Sequence, residues 1–218
     1  NAGCATCFCH WVGSGPADGE GSDVLMTAVR GEDGTEGYVL EAITEKGETL
    51  LAATALPDGA SRLDAARAAR QAALDGMPPA PDLSAAKDRL AARFTDTEFW
   101  QRQTAQCLSC GACTYMCPTC YCFNITDEGE GLNGQPGRRL RTWDTCMSSL
   151  FTREAGGHNP RMAKALRMRN RISHKFSNYP ITWNGVFSCN GCGRCISQCP
   201  VHLDIRAIVL AAIKDQGA

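Results

Sequence analysis

Cys107, Cys110, Cys113 and Cys117, followed at once by Pro118, have the spacing C-x2-C-x2-C-x3-C-P, and Cys189, Cys192, Cys195 and Cys199, followed by Pro200, repeat it without change. Thiolates are soft ligands. Three of them at this spacing face one iron–sulfur cube from a tight loop, while the fourth, a helical turn further on, points to the other cube. By that rule cluster one takes Cys107, Cys110, Cys113 and Cys199, and cluster two takes Cys189, Cys192, Cys195 and Cys117. Zinc sites more often join two C-x2-C pairs through a spacer, without the Cys-Pro ending, so two 4Fe-4S clusters are the better reading. Gly111, Gly191 and Gly193 let the backbone approach the clusters and aim amides at their sulfides.

Six of the 14 cysteines remain. Cys120, Cys122 and Cys146 are either three ligands of an additional cluster, completed by a distant cysteine, a histidine or a residue outside the chain, or buried thiols that pack as small hydrophobes. Cys4, Cys7 and Cys9, in "CATCFC", are candidates for the same cluster or for one with ligands further upstream. His10, His158, His174 and His202 are not assigned as ligands, because a lone histidine is more often structural. Cysteines crowded at C-x2-C spacing make strained bridges, so a disulfide framework is the weaker alternative and a reducing compartment, the cytoplasm, is expected.

The elements that must position these thiols fall into two expected domains, 1–80 and 81–218. In the first, "DVLMTAVRG" and "GYVLEAITEKGETLLAA" read as two or three antiparallel strands, and "SRLDAARAARQAALDG" as a helix with a Ser61-x-x-Asp64 cap and a stop at Gly76. "MPPAPD", at 77–82, is a linker, because proline lacks the donor a helix needs. In the second domain a helix starts near Leu83, and Thr95-x-x-Glu98 caps another that carries Phe99 and Trp100 into the core. Residues 124–141 read as loop, 143–151 and 160–175 as helices, and the tail as an amphipathic helix from an Asp204 cap to a Gly217 stop. The stretch between Cys117 and Cys189 is too long for a compact two-cluster ferredoxin. The expected fold class is therefore mainly α, an α-helical two-cluster ferredoxin domain preceded by a small α+β segment.

Charge is balanced, with 22 Lys and Arg against 23 Asp and Glu, so no global field attracts nucleic acid or an anionic membrane. No apolar run approaches the length of a membrane span. Locally, Arg138 to Lys175 holds ten Lys or Arg against Asp144 and Glu154. Compensation of anionic clusters is the preferred reading of that excess, with docking to an acidic partner or a cofactor phosphate second. Nucleic acid is disfavoured, since aromatic residues do not interleave the basic ones.

"CLSCGACTYMCPTCYCFNITDE", "RRLRTWDTCMSSLFTREAGGHNPR", "RMRNRISHKF" and "CNGCGRCISQCPVHLDI" resemble the 4Fe-4S dicluster electron-transfer subunits found as the β subunit of soluble NAD(P)-linked nickel–iron hydrogenases (sulfhydrogenases) and as the electron-transfer subunit of anaerobic sulfite reductases. The resemblance extends to "TCFCHWVGSGPADGEGSDVLMTAV" near the start. It implies a further domain upstream, missing here, and a relay that passes single electrons between a flavin/NAD(P)-binding subunit and a hydrogenase small subunit in a hetero-oligomer. No dinucleotide loop, P-loop or catalytic triad argues for bond chemistry of the chain's own. The same relay in a sulfite reductase is the first alternative, and a structural or nucleic-acid-binding iron–sulfur module the second.

Overall fold

The computed structural model describes residues 3–31, 34–129 and 137–214. The chain divides into two compact units, Asn1–Pro81 and Asp82–Ala218.

In the first unit β1 (Val24–Arg30) pairs antiparallel with β2 (Glu36–Ala42), with Val24 opposite Ala42 and Arg30 opposite Glu36. The second half of "GYVLEAITEKGETLLAA" is not a strand but α1 (Glu45–Ala52). Thr44 ends the strand and caps the helix, its Oγ1 accepting the Gly47 N–H and donating to Asp23 at 2.6 Å. Gly47 is required here, because a Cβ would lie 1.9 Å from the Asp23 carbonyl oxygen. A turn at Ala60–Arg62 leads into α2 (Leu63–Asp75), which ends before Gly76 as expected, although Ser61 makes no cap. Ala66 of α2 is fully buried, and Arg70 reaches the hairpin through an ion pair with Glu41 and a 3.1 Å bond to Thr27.

In the second unit α3 (Ala86–Ala92) is followed by a 3-10 turn at Arg93–Thr95 and by α4 (Thr97–Gln103). The cap of α4 is Asp96 and not Thr95: its carboxylate accepts the Phe99 N–H at 2.9 Å and pairs with Arg93 at 3.0 Å. Phe99 and Trp100 are each 1% exposed, and the Trp100 indole donates to the Arg93 carbonyl at 2.8 Å. Next come α5 (Ala112–Tyr115), β3 (Phe123–Glu128) and β4 (Arg138–Trp143). The two strands form an antiparallel hairpin where a loop over 124–141 was expected, with Phe123 opposite Trp143. Nearly every residue of the hairpin is exposed, so its sequence lacks the alternation that a half-buried strand carries.

The expected helix over 143–151 is also absent. Trp143 ends β4 and residues 144–150 form turns, with Thr145 accepting from Met147 N–H at 3.0 Å. The segment over 160–175 becomes α6 (Lys164–Ser173), which runs through a wide π turn at His174–Asn178 into α7 (Tyr179–Thr182). The widened turn directly precedes Pro180, which has no N–H for the carbonyl four residues back. After α8 (Arg194–Ser197), α9 (Ile205–Lys214) starts as expected at Asp204, whose side chain accepts the Arg206 N–H at 2.8 Å. The expected Gly217 stop lies outside the described residues.

Helices α3 and α6 pack on the π turn and on each other, with α9 against α3 and α4 against α6, and Leu90, Trp100, Met168, Ile172, Phe176 and Val209 are buried. The architecture is thus mixed, helices with two small two-stranded sheets, and not mainly α. Among the described residues no helix is long and apolar enough to cross a membrane.

Trp100 fills the centre of the second unit. Trp100→Ala is expected to lower its stability by about 3–5 kcal/mol, read by anaerobic chemical denaturation; a loss under about 1 kcal/mol would show that the ring does not anchor this core.

Candidate iron–sulfur centre

The two cysteine loops repeat in backbone as well as in sequence. The second residue after the first cysteine has positive φ in each, Ser109 at 57° and Gly191 at 64°, and so does the fourth, Gly111 at 79° and Gly193 at 72°. In each loop the former residue's N–H donates to the first thiol at 3.4 Å, Ser109 to Cys107 and Gly191 to Cys189. The latter residue caps one helical turn, α5 or α8, which carries the third cysteine and ends two residues before the fourth. At Gly111 a Cβ would also stand 3.1 Å from Thr145, so glycine is needed for space as well as for conformation.

One cavity gathers Cys107, Cys110 and Cys113 of the first loop with Cys199 of the second, the set expected for cluster one, and Cys195 also reaches its wall. Met147, Met168 and Ile205 add an apolar wall, and Ser109 and Arg171 also line the cavity. On the other side, Thr119 accepts from Cys117 or donates to it at 3.3 Å and bonds the Ser188 carbonyl at 3.0 Å. This ties Cys117 to the residue before Cys189, and both Cys117 and Cys195 act electrostatically on Cys189. Cys192 is half-buried in the second loop.

Among the described residues no three His, Cys, Asp or Glu side chains converge tightly enough for one metal ion. Cys107, Cys110, Cys113 and Cys199 instead surround a space, an arrangement that suits a cluster with one thiolate at each corner. Soft donors, amides bonded to sulfur and an apolar wall all fit such a group.

A row of cations runs beside the loops. On α6 and the π turn, Lys164 donates to the carbonyls of Ala105 and Cys107, Arg167 to Ser109 at 3.0 Å, Arg171 to the Cys113 carbonyl at 3.1 Å, and Lys175 to Thr119 and Ser188 at 2.8 Å each. Arg167, Arg171 and Lys175, four residues apart, are only 5%, 3% and 2% exposed. Among the described residues none of the three pairs with a carboxylate, and the Nε atoms of Arg167 and Arg171 have no partner. A buried cation without an anion is costly, so these three call for negative charge from the thiols. For Arg171 burial opposes the charge, yet Cys113, Cys195 and Cys120 raise its pKa. The basic stretch therefore splits, since Arg138, Arg139 and Arg141 lie on the exposed hairpin. The four-residue spacing of Arg167, Arg171 and Lys175 was the sequence signal for this wall, hidden by the exposed arginines around it.

The thiols themselves are tuned apart. Cys120 donates to Cys117 and, with help from Lys175, brings it down to about 4 despite burial. Burial pushes Cys189 up to about 11 and raises Cys113, against the pull of Arg171. Of the other six, Cys120, Cys122 and Cys146 share a second cavity, and Cys146 donates to Cys122, lowering it to about 6. Cys4, Cys7 and Cys9 belong to the first unit. There Cys4 and Cys7 have their sulfurs 2.7 Å apart, hydrogen bonding from Cys7 lowers Cys4 to about 7, and Cys9 is buried.

The 4Fe-4S dicluster domain family matches residues 106–203, from the residue before Cys107 to just past Cys199. Residues 106–203 are a 4Fe-4S dicluster domain. Over 117 residues, 54% of this chain, the sequence is 37% identical to the sulfhydrogenase 2 subunit beta of Pyrococcus furiosus. The match covers 33% of that protein, so the chain spans about a third of its relative. No solved structure matches the chain with significance. The dicluster domain is thus an iron–sulfur electron-transfer domain related to a hydrogenase subunit.

In metal-free protein the thiol order should be visible in alkylation rates followed by mass spectrometry. Cys117, a thiolate above about pH 4, should react at a rate nearly flat from about pH 6 to 9, while Cys189 should speed up until about pH 11. Parallel profiles would refute the ordering. In the loaded protein, Arg171→Met removes a buried cation and should lower a cluster potential on the order of 100 mV in redox titration; an unchanged potential would mean that the guanidinium does not act on the clusters.

Proposed function

We propose that this chain relays single electrons between a flavin/NAD(P)-binding subunit and the small subunit of a nickel–iron hydrogenase module, within a hetero-oligomer. The observation that carries this reading is Arg171. Its guanidinium donates to the Cys113 carbonyl in the first loop and interacts with the Cys195 thiol in the second, so the two loops adjoin across one buried cation. A relay needs neighbouring one-electron sites of this kind. The hydrogenase context is supported by the 37% identity to a sulfhydrogenase β subunit.

A 4Fe-4S cluster, when bound, takes up and gives back one electron at a time. The chain's residues do the remaining work. Cys107, Cys110, Cys113 and Cys199 hold one cluster, and Cys189, Cys192, Cys195 and Cys117 the other. The N–H groups of Ser109 and Gly191 and the α6 cations stabilise the added negative charge, while Met147, Met168 and Ile205 keep water away.

Potentiometric EPR on the purified full-length subunit and its complex tests the proposal. Two cluster signals reducible by NAD(P)H through the partner flavin, with nickel in the complex, are expected. Clusters that stay oxidised under those conditions would refute the relay, and sirohaem in place of nickel would refute the hydrogenase context. Cys199→Ser should change the signal of the cluster built on the first loop and leave the second intact; the reverse result would overturn the crossed ligation.

A further inference from the structure

We propose that Cys120, Cys122, Cys146 and His174 hold a third iron–sulfur cluster, at the surface end of the dicluster unit. The proposal rests on the two-cluster reading of the same domain and adds a site to it.

The hairpin supplies the first reason. Cys122 directly precedes β3 and Cys146 lies three residues beyond β4, and pairing of Phe123 with Trp143 closes the ends of the hairpin on each other. Asp144 N–H then donates to the Cys122 carbonyl at 3.0 Å. Two thiols distant in sequence are clamped together by an element that buries almost nothing of its own.

Cys120 is set by the first loop. Its N–H bonds the Cys117 carbonyl at 3.2 Å, as the N–H of His202 bonds the Cys199 carbonyl at 3.0 Å in the second loop. The repeated loops thus match even here, but only the first carries a thiol at this position. Cys120 is therefore an addition to the duplicated plan, and it shares a cavity with Cys122 and Cys146.

His174 faces that cavity from the start of the π turn. Its ring stands edge-on to Tyr121 and Tyr179, with centroids 6.4 and 5.9 Å away, and among the described residues neither nitrogen has a hydrogen-bond partner. A π turn shifts the register of the side chains that follow it, and such turns occur often at functional sites.

Size and charge favour a cluster over a single ion. The void is roomier than the one surrounded by Cys107, Cys110, Cys113 and Cys199, and its four donors do not converge on a point. Arg161, Arg171 and Lys175 line it, as cations should line a site of three thiolates. One neutral imidazole in place of a thiolate makes a cluster easier to reduce. With Tyr121 59% exposed at its edge, the site is placed to serve as the port through which electrons enter or leave.

The test uses the full-length subunit, purified anaerobically, with iron, labile sulfide and zinc counted per chain. A Cys122→Ser and Cys146→Ser double variant should hold about four iron and about four sulfide fewer than its parent and keep both motif clusters by EPR. An unchanged iron count, a loss of zinc instead, or a loss of about eight iron would each overturn the third site. A parent with fewer than about eight iron would refute the two-cluster reading as well. Pulsed EPR on the unaltered, reduced parent gives a second measurement that does not depend on folding of a variant. Strong coupling to a bound imidazole nitrogen is expected, and it should vanish in His174→Ala; a parent without that coupling would overturn the ligand assignment.

Discussion

Three buried cations that have no carboxylate partner among the described residues govern the second unit. Arg167, Arg171 and Lys175 are buried on α6 and its π turn, which pack against α3 and α4. Left alone, each would be costly in such a setting. What makes the face acceptable is chiefly the first cysteine loop, which offers it the Cys113 carbonyl, the Ser109 and Thr119 hydroxyls and the nearby thiols, with further carbonyls at Arg161, Met162 and Ser188. Positive charge on α6 and the thiols of the cysteine loops therefore complement each other, and the surrounding helices hold that contact away from water.

How much of this was legible depended on whether a residue's role is dictated by its own chemistry or by its surroundings. The cysteine loops were legible because ligation demands both residue type and spacing. Helix α2 was legible from a run of helix formers ending at a glycine, and α9 from its Asp204 cap and apolar stripe. The β3–β4 hairpin was not, because with both faces exposed nothing selects an alternating pattern. Thr44 turned a strand-like sequence into a helix, and Asp96 took a cap expected at its neighbour, both through single side-chain bonds that no periodicity reports.

The candidate site was partly legible in the same sense. The crossed ligation was an expectation from a rule about ligand direction; Cys107, Cys110, Cys113 and Cys199 line one cavity, which Cys195 of the other expected set also lines. Ser109 was missed, since a non-glycine residue at positive φ announces itself poorly in sequence. His174 was also missed as a distinct candidate, because what singles it out is a widened turn ahead of Pro180 and the absence of competing hydrogen bonds among the described residues.

The cation row also divides the domain mechanically. Four side chains fasten α6 and the π turn to the first loop, from Ala105 to Thr119, whereas the second loop meets them through the Ser188 N–H and carbonyl and the Cys195 thiol. The side-chain bonds of α6 and the π turn therefore concentrate on the first loop. Under the crossed ligation proposed above, Cys117 and Cys199 would each bind the cluster of the opposite loop, so that loading would rivet the two loops together and stiffen the unit across their junction.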